Sequence, residues 1–157
     1  MPIIDPQNQR FFEYEVSRMI YQTTHPQKPV VGVLSSLPVL GSAPQQFMMP
    51  GQPRPATQPA WFAFSDVKKD FNLREISTSE AESGIPSDVG TLVLVHPKEL
   101  SDRALYAVDQ FVLRGGHLVA FVDPSAYSDQ SQPQSPYGGP SASSSDLSKL
   151  FTAWGVG

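Results

Sequence analysis

Residues 91–123 read TLVLVHPKELSDRALYAVDQFVLRGGHLVAFVD. The run Thr91-Leu92-Val93-Leu94-Val95 predicts a buried strand, and His96-Pro97 ends it because a residue before proline is pushed out of helical geometry. Ser101 then predicts a helix N-cap, with Asp102 in the first turn and Arg114 in the last, each of the sign that the helix dipole favours. Leu105, Val108, Phe111 and Val112 recur at helical spacing and form the inner stripe. Leu118 to Val122 predicts the next strand. A helix of this length between two strands is a crossover, so the strands run parallel with helices against the sheet.

The pair Gly115-Gly116 tests an alternative. In a nucleotide phosphate site, glycines follow a strand and open a helix, so that backbone N–H groups meet the anion. Here the glycines follow a helix and precede a strand, where a positive φ ends the helix and turns the chain. They also fall at the edge opposite the strand carboxyl ends, where ligands of open parallel sheets bind.

Working outward, Asp5-Pro6 predicts a cap and first helical position, with Phe12, Val16, Met19 and Ile20 at helical spacing, hence a helix from about Pro6 to Gln22. Val30 to Leu34 predicts a strand covered on both faces. From Ser35 to Ala60 six prolines predict a long loop. Pro59 predicts the start of a second helix carrying Trp61, Phe64 and Val67 inward, with Phe71 to Ile76 as a further strand. The segment between Ile76 and Thr91 reads as an acidic, Ser-rich link. Residues 124–145, with eight serines, four prolines and a single charge, read as a disordered low-complexity loop. Asp146 to Trp154 predicts a short closing helix. The fold class is therefore α/β: a three-layer sandwich with a mainly parallel sheet of at least four strands, flavodoxin-like or class I glutamine amidotransferase-like, in one domain over residues 1–157.

With 11 basic and 15 acidic residues the net charge is −4, and no basic run suits nucleic acid. Cysteine is absent, which excludes disulfides, thiolate nucleophiles and Cys-ligated metals. His25, His96 and His117 show no metal-binding spacing, and no cofactor or metal is expected. No apolar stretch is long enough to span a bilayer.

The strand carboxyl ends deliver Ser35, Ser36, His96 and Asp123, which are the candidate ligand-binding residues. A serine–histidine–acid relay is conceivable there, but neither serine lies in a G-x-S-x-G elbow. Phe47, Trp61, Phe62, Tyr127 and Tyr137 lie in or beside the two Pro-rich loops and raise a small-molecule or carbohydrate-binding module as the alternative function. The competing reading places Trp61 and one of its neighbours in the core.

Ile85 to Pro124, IPSDVGTLVLVHPKELSDRALYAVDQFVLRGGHLVAFVDP, resembles the soluble domain of gliding-motility-type (GldG-like) ABC transporter auxiliary proteins. The segments VGVLSSLP (31–38) and LSKLFTAWGV (147–156) also fit, so the likeness spans most of residues 5–157. The resemblance implies a non-enzymatic accessory domain on the extracytoplasmic (periplasmic) side of the bacterial inner membrane. It would be an excised fragment of a longer protein held by transmembrane helices outside this chain, beside an ABC permease and its ATPase. No G-x-x-x-x-G-K-[ST] cradle is present, so the ATPase is a separate subunit. Glutamine amidotransferase chemistry needs a cysteine nucleophile, which this chain lacks.

Overall fold

Four strands, β1 (Val30–Ser35), β2 (Asn72–Glu75), β3 (Val89–Val95) and β4 (His117–Phe121), form one parallel sheet in the order β2-β1-β3-β4. The structure is a computed structural model that describes residues 12–41, 58–126, 129 and 144–156. Its helices are α1 (Phe12–Thr24), α2 (Phe62–Val67), α3 (Thr78–Ser83), α4 (Asp102–Leu113) and α5 (Ser148–Trp154). The chain steps from β1 outward to β2, returns past β1 to β3 and continues to β4. Right-handed crossovers then put α2 on one face and α3 and α4 on the other, which makes three layers.

The two faces follow from the two-residue period of the strands. Leu34 of β1, Leu92 and Leu94 of β3, and Leu118 and Ala120 of β4 point to the α3–α4–α5 face. They meet Ile76, Ala81, Ile85, Ala104, Val108, Phe111, Leu147 and Leu150 in the larger core. Val31, Val33 and Val95 point the other way and pack with Leu37, Val39 and the partly buried Phe64. Ser101 caps α4 as its type predicts, its hydroxyl accepting from Ala104 N–H. Val108 and Phe111 of the expected stripe are buried, joined by Ala104 and Ala107, while Leu105 and Val112 pack at the margin.

Gly115 has φ +94°, and Gly115 N–H and Gly116 N–H donate to the carbonyls of Val112 and Phe111. These are the two bonds of a Schellman stop. A Cβ on Gly116 would overlap the Phe111 ring. The glycine pair therefore turns a corner.

The N-terminal helix is present from Phe12 to Thr24, and residues 6–11, its expected first turns, lie outside the described residues. Two expectations need revision. Trp61 and Val67 are exposed because α2 is only six residues long, starts after Trp61, and turns Phe64 alone toward the sheet. The acidic link contains α3, whose cap is Ser77 accepting from Glu80 N–H.

The sheet is unevenly finished. Edge strand β2 carries Arg74, tied to Glu80 at 2.7 Å and Asp88 at 3.1 Å. Edge strand β4, His-Leu-Val-Ala-Phe, holds no carboxylate, lysine or arginine. On the face away from α4, Val119 and Phe121 remain 43% and 59% exposed beside the half-buried Val93.

Candidate functional site

The order of the strands reverses between β1 and β3, and ligands of open parallel sheets bind in the crevice outside the carboxyl ends at such a point. Ser35 and Ser36 leave β1 on one side of this crevice, and His96 leaves β3 on the other. The Ser36 hydroxyl spans the gap and donates to the His96 main-chain carbonyl at 2.5 Å. Ser35 accepts from Leu37 N–H at 3.0 Å, which turns the chain away from the strand. Thus the two serines are brought to the rim, each engaged with backbone.

His96 takes φ +47°, a left-handed conformation uncommon outside glycine. Its N–H donates to Phe121 O at 2.9 Å, which ties the end of β3 to the end of β4. The positive φ carries the side chain inward, where it is 2% exposed as a residue. There Nε2 lies 3.4 Å from Asp129 Oδ2, and Lys98 Nζ lies 3.0 Å from the same oxygen. Asp129 is itself buried. A carboxylate at such a depth is costly without compensating donors, and Lys98 with His96 supply them.

Asp123 is placed differently. It is exposed, its Oδ1 accepts from Ser125 N–H at 2.8 Å, and its backbone exchanges bonds with Ser145: Asp123 N–H to Ser145 Oγ and Ser145 N–H to Asp123 O, both 2.9 Å. Ser35, Ser36, His96 and Asp123 therefore share one rim, but the acid facing the imidazole is Asp129. The relay geometry is not formed by these atoms, because the Ser36 proton points at a carbonyl and the ring points at a buried carboxylate. Asp129 is the single charge in the Ser/Pro-rich stretch, and that isolation was the one signal in the sequence that could have marked it.

Two long segments, 42–57 and 127–143, connect to this end of the molecule through closed necks. At the first, Trp61 N–H donates to Val39 O at 3.0 Å, and Gly41, at φ +88°, sits so close to Gln58 and Ala60 that a Cβ would lie 2.9 Å from their backbone. At the second, the Asp123–Ser145 bonds close the chain and Asp129 anchors it again against Lys98 and His96. Beside the first neck, Trp61 and Phe62 stand 41% and 88% exposed. Phe47, Tyr127 and Tyr137 lie outside the described residues.

A second concavity, an open groove of about 390 Å³, runs between α3 and α4 past Glu82, Arg103, Tyr106 and Gln110. None of the four candidate residues lines it. Among the described residues, no group of three His, Cys, Asp or Glu side chains is placed to hold a metal ion, and no helix is long and apolar enough to cross a membrane.

Comparison with known proteins gives one positive result. Residues 28–157 match a family model described as an ABC-type uncharacterized transport system. Neither the curated proteins nor the solved structures yield a significant match.

Proposed function

The chain belongs to the ABC-type uncharacterized transport system family, as an auxiliary component, and from that premise we propose that it is a non-catalytic recognition domain that binds transporter subunits at the sheet's carboxyl rim. The observation that supports this reading is the pair of closed necks. Each long segment leaves and returns through main-chain hydrogen bonds at a rigid rim, the arrangement by which a scaffold displays a binding loop. Trp61 and Phe62 at the first neck are the aromatic anchors, since large exposed rings carry much of the energy of protein interfaces. The direct partner is the ABC permease, and through it the domain joins the complex that contains the ATPase subunit. The domain works on the extracytoplasmic side of the membrane, in a system related to the gliding-motility transporters.

Co-purification with the cognate permease and ATPase, co-expressed and detergent-solubilised, tests the reading. Trp61→Ala with Phe62→Ala should lower recovery at least tenfold while shifting unfolding free energy by under about 0.5 kcal/mol, the usual effect of surface substitutions. Replacing residues 42–57 by a short Gly-Ser linker should do the same. Undiminished recovery in both variants would remove the proposal.

The same exposed aromatic pair also favours a second reading, a carbohydrate or small-molecule module in which Trp61 stacks on the ligand. Tryptophan fluorescence across a glycan panel separates the two readings. A saturable change that Trp61→Phe abolishes would favour the module, and a flat titration at millimolar ligand would eliminate it.

A further inference from the structure

Helix α1 is docked the wrong way round. Surface helices normally turn their apolar stripe inward and their polar side to water. Here Arg18 Nε and Gln22 Nε2 on the polar side reach the body of the protein and donate to Asp70 Oδ1 at 2.8 and 2.6 Å. Ile20 lies on the opposite side, 60% exposed, with Val16 half-buried beside it, and Phe12 and Met19 stand exposed on the flank between the two sides. No residue of α1 is buried, and the helix makes no extensive contact with any other element among the described residues.

The sheet has the complementary deficit. All-parallel sheets are covered by helices on both faces. Over β1 the second face is covered by Leu37, Val39 and Phe64, with Val93 of β3 packed at their margin, but over β4 it presents the exposed Val119 and Phe121 with no extensive helix contact on that side among the described residues. One chain thus carries both an apolar helix stripe without a sheet and an apolar sheet face without a helix.

We propose that two copies of this chain associate by reciprocal exchange, α1 of each lying on the β3–β4 face of the other. The dimensions match. Thirteen helical residues span about 20 Å, and strands of five and seven residues span about 17 and 23 Å. The area sets the strength. A stripe about 20 Å long and 10 Å wide covers roughly 200 Å². Four such surfaces in a two-fold dimer give roughly 800 Å², short of the roughly 1,200 Å² of a standard stable interface. Association is therefore weak and concentration-dependent, and a single contact without the exchange would not hold.

The chain has no cysteine, so the contact can be mapped by introducing them. A mixture of the single variants Met19→Cys and Val119→Cys, treated with a short bismaleimide, should give a covalent heterodimer at least tenfold above either variant alone. Sedimentation of the wild-type chain up to about 1 mM should show a monomer–dimer equilibrium that Ile20→Glu and Phe121→Lys each weaken at least tenfold. Both positions are exposed, and an unchanged thermal midpoint will show that the fold survives. Three results each overturn the proposal: a monomer throughout, a dimer indifferent to Ile20→Glu, or a Met19→Cys/Val119→Cys double variant that cross-links only within one chain.

Discussion

At Gly116 the Phe111 ring occupies the volume where any Cβ would stand, while Gly115 beside it holds the positive φ that ends α4. Gly116→Ala must therefore push the ring or the backbone, and we expect a loss of about 1–3 kcal/mol, the usual cost of overpacking, read as a lower urea midpoint with unchanged slope. Stability within about 0.3 kcal/mol of wild type would mean that the corner is not tight. The buried carboxylate makes a second case. Asp129→Asn leaves Lys98 and His96 without the charge they face, and about 1–3 kcal/mol should be lost. Asp129→Leu with Lys98→Met should cost less than Asp129→Asn alone, because it removes the charges together. The role of the glycines was readable from order alone, helix before and strand after. Asp129 was not, since nothing local links it to a histidine 33 positions earlier; their meeting depends on the chain doubling back at the rim.

Helix α1 depends on one carboxylate. The Arg18 hydrogen bond, with help from Gln22, holds the Asp70 carboxyl below its ordinary value of 3.8. A depressed folded value stabilises the docked helix above the unfolded pKa, and that contribution vanishes as pH falls through the folded one. Amide exchange in α1, corrected for intrinsic rates, should therefore rise relative to α4 below about pH 4, and Asp70→Asn should show the fast exchange at neutral pH. Lys149 similarly lowers Asp102, and Ser148 lowers Asp146, so the comparison must be local to α1. Equal exchange in wild type and Asp70→Asn would show that the tether does not hold the helix. Elements with strong periodicity, β1, β3 and α4, were legible within a residue or two. Helix α3 was not, because only Ala81 of its six residues is buried and no apolar stripe exists to find. Its one readable mark was Ser77 three places before Glu80, the pattern of a helix cap.

Across the whole molecule, the parallel order followed from strands separated by helices, whereas the position of β1 between β2 and β3 is a long-range pairing that no local pattern encodes. The inward reading of Trp61 failed for a similar reason. Its burial would have required a longer α2, and the neck bond from Trp61 N–H to Val39 O begins the helix only after it. That central strand has a consequence in time. The backbone of β1 finds partners only after chain of some 35 residues has closed on itself, and such closure is an entropic toll met before any contact rewards it. Cutting that closure to about 20 residues by excising 42–57 lowers the toll by about 0.5 kcal/mol. Stopped-flow refolding should then quicken roughly twofold, with the unfolding limb unmoved. If the limb that moves is unfolding, the excised residues were bracing the finished molecule and not merely delaying its assembly.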